Sequence, residues 1–182
     1  MTVRRGLAFA AIVAAVVAID QATKAVVRAS MDVYEQIPVI DGVLWLTHIE
    51  NTGAAFGMLR GQQWFLIATA VAMLAVVAYV VLTVRLESGW ARIALALVSG
   101  GAIGNLIDRA GAGAVTDFFD LGWFPVFNVA DIALDVGVAI LVGVLLFGRG
   151  PLSVSAAATE DSVPGADMSR EVLGNDAGTP DA

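Results

Sequence analysis

Residues 64–84 read WFLIATAVAMLAVVAYVVLTV, twenty-one positions without a single charge. A helix needs about twenty apolar residues to cross roughly 30 Å of hydrocarbon, so this stretch predicts a transmembrane span. Three more segments follow the same logic. Residues 6–19 are uncharged and continue as a helical pattern to about 27, interrupted by Asp20 and Lys24. Residues 93–107 are uncharged and end in Asp108-Arg109, and residues 128–147 are apolar apart from Asp131 and Asp135. The composition agrees: 58% of the 182 residues are hydrophobic and only 15% charged, too few polar groups to cover a soluble domain. The fold class expected is an all-α polytopic membrane protein with four transmembrane helices.

A cleaved signal peptide is the alternative reading of the first helix, since Arg4-Arg5 precede an apolar run. No small-residue cleavage site follows, and residues 20–24 continue the helical pattern, so a retained helix is expected. Arg4, Arg5, Arg85, Arg92 and Arg149 fall at one set of helix ends; Lys24, Arg28, Arg60 and Arg109 fall at the other. The arginine bias places both termini in the cytosol.

Between the first two spans, residues 37–40 and 43–49 read as two strands around Asp41-Gly42, a small extracytoplasmic β-hairpin within an insert at about 30–60. The domain expected is therefore 1–150, followed by a disordered acidic cytoplasmic tail over 151–182. Counted from Arg149, that end holds six acidic residues against two arginines, −4 of the net −7. No basic stripe exists, which argues against nucleic acid as a partner. Without cysteine there is no thiol nucleophile or thiolate metal site, and one histidine cannot build a metal centre. No metal and no cofactor are expected. His48 itself reads as an exposed strand residue without a role.

Ionisable groups inside a membrane are costly and mark function. Here they gather toward one level. Asp20 and Lys24, four apart, share a helical face and can pair. Asn105, Asp108 and Arg109 share the end of the third helix, with Asp108 reading as a local brace. Asn128 and Asp131 share the start of the fourth, while Asp117 reads as part of a loop or re-entrant segment before it. Asp135 reads as facing a polar interior. Two closely facing carboxylates share a proton, so one can act as base on a water while the other donates to a scissile carbonyl. Asp117 and Asp131, separated by a turn containing Gly122 and Pro125, can form such a pair.

Five ordered blocks carry a family resemblance: DQATK at 20–24, NTGAAF at 51–56, GGAIGNLIDR at 100–109, VTDF at 115–118 and FPVFNVAD at 124–131. Over residues 7–148 the chain resembles the lipoprotein signal peptidases, or signal peptidase II. The resemblance implies a bacterial plasma-membrane aspartic endopeptidase with its active site near the extracytoplasmic face. It implies that diacylglyceryl prolipoproteins are cut just before the lipid-modified cysteine. Asp117 and Asp131 would be the catalytic dyad. Asn51, Gly53, Asn105, Arg109, Asn128 and Ala130 would bind substrate or shape the site, with Asp20, Lys24 and Asp108 as support. Membrane lipids as partners, a monomeric state and inhibition by the cyclic peptide globomycin are implied as well. The competing class is a small transporter or channel using the Asp/Lys/Arg cluster as an ion relay. No inverted repeat between the halves supports it. A non-catalytic assembly factor is a further alternative.

Overall fold

The computed structural model describes residues 3–53, 62–84, 86 and 88–147. The tail expected over 151–182, Arg60, Arg85, Arg149 and the Ala54-Ala55-Phe56 end of the second block lie outside the described residues. Four helices are long and apolar enough to span a membrane: α1 (Val3–Ser30), α2 (Gln63–Thr83), α3 (Gly89–Gly111) and α4 (Val129–Phe147). All four expected spans are present.

The burial of α1 and α2 is inverted relative to a soluble bundle. In α1 the buried residues are Asp20, Lys24 and Val27, and in α2 only Val77 is buried, while Leu82, Val76 and Trp64 are exposed. On α1 and α2 most apolar side chains face outward, and on α1 the charged pair faces inward, as a lipid solvent favours. The hub is α3, which packs against the other three helices. Its glycines permit that closeness. A Cβ on Gly100 would lie 2.7 Å from Val16 Cβ, and one on Gly104 would lie 2.6 Å from Asp20 Oδ2. Small residues serve helix approach in membranes because dispersion contacts must replace the missing hydrophobic drive.

The β insert is larger than the expected hairpin. β1 (Gln36–Ile40), β2 (Leu44–Asn51) and β3 (Val115–Asp120) form an antiparallel three-stranded sheet in the order β1-β2-β3. Gly42, at φ +73°, takes the left-handed position in the turn between β1 and β2, which glycine adopts without a Cβ penalty. The third strand corrects the reading of Asp117 as part of a loop or re-entrant segment: Asp117 pairs with Ile49 in the ladder. A register shift lies between Leu46 and Ile49, and beside it consecutive residues Thr47 and His48 are both buried. The expectation of an exposed His48 fails for that reason, because strict alternation would have turned one of the two outward. His48 Nδ1 instead lies 3.0 Å from the Met31 carbonyl at the end of α1. Asp135 also departs from expectation: it is exposed on α4 rather than facing a polar interior.

Candidate active site

The site forms where the end of β2, β3, the last turn of α3 and the first turn of α4 meet the middle of α1. Local sequence explains how the chain returns on itself after β3. Asp120 Oδ1 accepts the Gly122 amide at 2.8 Å, and Gly122 takes φ +77°. Phe127 then exchanges backbone hydrogen bonds with Phe119, at 2.8 and 3.0 Å, which brings Asn128 beside Asp117.

Asn128 starts α4 with a reciprocal cap. Its Oδ1 accepts the Asp131 amide at 3.0 Å, and its own amide donates to Asp131 Oδ2 at 3.1 Å. This is the capping-box logic with asparagine and aspartate in the two roles. The Asn128 side-chain NH2 then donates to Asp117 Oδ1 at 2.6 Å and to Asn105 Oδ1 at 3.2 Å. One fully buried amide thus touches both carboxylates, one through its side chain and one through its backbone.

The remaining carboxylate oxygens are also held. Asn51 donates to Asp117 Oδ2 at 2.9 Å, and Asn105 donates to Asp131 Oδ1 at 2.8 Å. Each aspartate therefore receives two hydrogen bonds from nitrogen. Burial pushes the Asp117 carboxyl up to about 7, reinforced by the charge of Asp131 and opposed by Asn51, Asn128 and Lys24. A carboxyl poised near neutrality can both hold and release a proton at working pH.

Behind this pair lies an ionic layer. Lys24 Nζ sits 2.9 Å from Asp20 Oδ2, 2.8 Å from Asp108 Oδ2 and 3.0 Å from Asn105 Oδ1, which uses all three of its donors. Asp20 Oδ1 accepts the Ala130 amide at 2.9 Å, tying α1 to the first turn of α4. The ionic partners of Asp108 are Lys24 and, at 3.6 Å, Arg28; it also accepts from Gln21 at 3.2 Å and from the Thr116 amide at 3.4 Å. Arg109 reaches the Gly53 carbonyl at 3.4 Å, while its Nε is buried without a partner among the described residues. Gly53 in turn donates to Asn51 Oδ1 at 2.9 Å.

All eleven residues singled out from the sequence fall in this one connected cluster. Three contributors carried no expected role. Gln21 Nε2 lies within 3.2 Å of Asp20, Gly104 and Asp108 oxygens; Arg28 donates to Thr116 at 2.9 Å; Gln63 donates to the Arg109 carbonyl at 2.6 Å. Arg28 was discoverable, since 20, 24 and 28 follow one another up a single helical face. Gln63 left no such signal. Among the described residues, no three His, Cys, Asp or Glu side chains gather as a metal site requires.

The described family model for signal peptidase II matches residues 12–147. The lipoprotein signal peptidase of Shouchella clausii (strain KSM-K16) is 48% identical over 136 residues, covering 74% of this chain and 90% of that protein. The lipoprotein signal peptidase of Symbiobacterium thermophilum is 46% identical over 135 residues, covering 72% and 88%. A solved bacterial membrane enzyme structure superposes with a TM-score of 0.74 at 31% identity, covering 86% of this chain and 94% of its own. A second bacterial membrane enzyme structure gives 0.72 at 33% identity, covering 77% and 93%.

Proposed function

The chain belongs to the signal peptidase II family, and from that premise we propose an aspartic mechanism at Asp117 and Asp131. The protein is a multi-pass inner-membrane protease that removes signal peptides from prolipoproteins. The cut falls just before the cysteine that bears the diacylglyceryl group.

One observation carries the aspartic reading: two carboxylates from different elements converge on Asn128, and each is held by two nitrogen donors. In the reaction, the ionised member of the pair takes a proton from a water, whose oxygen attacks the scissile carbonyl carbon. The protonated member gives its proton to the carbonyl oxygen, so the tetrahedral intermediate is neutral. Collapse breaks the C–N bond: the nitrogen of the lipid-modified cysteine takes the proton that the base acquired, and one hydroxyl of the intermediate returns its proton to the other aspartate as the product C=O re-forms. The pair ends as it began, with one shared proton.

Asn51, Gly53, Asn105, Arg109, Asn128 and Ala130 serve substrate binding and site shape. The Arg109 guanidinium, whose Nη2 reaches Gly53 and whose Nε has no partner among the described residues, supplies donors for a substrate carbonyl or a lipid headgroup oxygen once substrate enters. The functional domain is 1–150 with 151–182 as an accessory cytoplasmic tail. Both termini lie in the cytosol and the site lies near the extracytoplasmic face. Membrane lipids are partners, the working unit is a monomer, and globomycin inhibits it. Nothing in the fold or the family favours the ion-relay alternative.

A synthetic peptide with a diacylglyceryl cysteine after an apolar segment tests this reading. Cleavage of the peptide bond before that cysteine, and none of the unlipidated peptide, is the expected result. No cleavage by folded protein in detergent would refute it.

A further inference from the structure

The ionic layer contains more than the neutralisation of Asp20 and Asp108. Lys24 is wholly buried, and its third donor goes to a neutral group, the Asn105 side-chain oxygen at 3.0 Å. That same oxygen accepts from the Asn128 NH2 at 3.2 Å, which leaves the Asn105 NH2 for Asp131 Oδ1 at 2.8 Å. An amide has two faces of opposite polarity. Turned over, Asn105 would set its NH2 against an ammonium and a second NH2, and its oxygen against a carboxylate. Of the two groups on the oxygen side, the ammonium forbids this more strongly than the neutral Asn128 NH2, because its hydrogen bond is charge-assisted.

We infer that Lys24 is a positioning residue for the reaction: it fixes which way the Asn105 amide faces, and so keeps a hydrogen-bond donor on Asp131. The inference rests on the dyad reading. Lys24 touches neither carboxylate of the pair; its two anionic partners are Asp20 and Asp108. Apart from its through-space charge, its influence on Asp131 is relayed from α1 through the Asn105 amide on α3 to α4. Asp20 works in parallel on the same helix start, through the Ala130 amide.

The test is a double-mutant cycle in kcat and KM on the full chain in detergent, with a lipidated peptide as substrate. Asp108→Asn is present throughout, so that removing the lysine leaves one buried carboxylate fewer without a partner. Lys24→Met should lower kcat about tenfold with KM held, the scale of one lost charge-assisted bond. Lys24→Gln, neutral but still able to donate to Asn105, should restore most of that loss. In an Asn105→Ala chain, Lys24→Met should cost little more, since the group it acts through is gone. Equal losses for Lys24→Met and Lys24→Gln would assign the effect to charge alone and overturn the inference, as would additive losses in the cycle.

A variant that keeps the lysine guards against misfolding. Asn105→Asp retains the acceptor for Lys24 and Asn128 but removes the donor on Asp131, so kcat should fall at least tenfold with KM held. Wild-type kcat in Asn105→Asp would equally overturn it. Asp117→Asn and Asp131→Asn are run alongside. If either stays active, the dyad reading itself fails; if both are inactive and the cycle is additive, only the role of Lys24 fails.

Discussion

Replacing Gly101 by alanine probes how rigidly the start of α4 is set. A Cβ at that position would collide with the Ala130 carbonyl oxygen, would lie 2.8 Å from Leu134 Cγ and would lie 3.2 Å from the Leu134 amide. Carbon pairs settle at about 3.5–4.0 Å, so α4 must move outward by about 1 Å. The contacted oxygen belongs to the residue before Asp131, and the obstacle is backbone, which cannot swing aside as a side chain would. The same displacement would stretch the 2.8 Å bond from Asn105 to Asp131 beyond hydrogen-bond range. A misplacement of about 1 Å in a reacting group can cost about 100-fold in rate. Overpacking of this kind costs about 1–3 kcal/mol in stability, which a chain with this core can survive. The assay pairs cleavage of a lipidated peptide with thermal unfolding in detergent, and Gly143→Ala on α4, with nothing within 4 Å of its new Cβ, is the control. Gly101→Ala should fold, melt somewhat earlier and cleave about 100-fold more slowly, while Gly143→Ala behaves as wild type. A Gly101→Ala rate within about twofold of wild type would refute the claim that α3 positions Asp131 by direct contact.

Because the Asp117 carboxyl is raised from the usual 3.8 to about 7, the folded chain retains a proton there that the unfolded chain releases. Stability should therefore fall as pH rises through that window, and unfolding midpoints of Asp117→Asn against pH should lack this part of the slope. Arg109→Lys keeps the charge but loses the planar fork, so activity in folded protein should drop; unchanged kinetics would reduce the residue to a generic cation. Reporter fusions after Arg85 and Arg149 should read as cytosolic and those near Asp41 as extracytoplasmic, and a cytosolic signal at Asp41 would put the site on the wrong face.

Much of this was legible because the membrane simplifies the code. The span at residues 64–84 follows from apolar length alone, since no other solvent suits it; the first and third needed the helical pattern to continue past their charged residues. Asp20 and Lys24 declared themselves by being charged, four apart and within such a span. The sheet was harder. β3 is six residues, VTDFFD, with its first four positions all buried, so no alternation marks it as a strand. The irregularity that turns both Thr47 and His48 inward depends on pairing with that unseen strand. Asn128 was visible as a site residue, but its role as the shared anchor of both carboxylates was not. That role needs the return of the chain through Phe127 and the arrival of Asn105 from α3, both tertiary events.

The central claim is that Asp117 and Asp131 act as one proton-sharing unit, and the most direct measurement is the cleavage rate of Asp117→Asn and Asp131→Asn, each purified and shown to be folded. Asparagine keeps the shape and can still hydrogen-bond but can neither take nor give the proton, so each variant should lose nearly all activity. Asp135→Asn, exposed on the same helix as Asp131, should cleave at the wild-type rate. If either dyad variant, well folded, cut the lipidated peptide at near wild-type rate, the aspartic assignment would be contradicted.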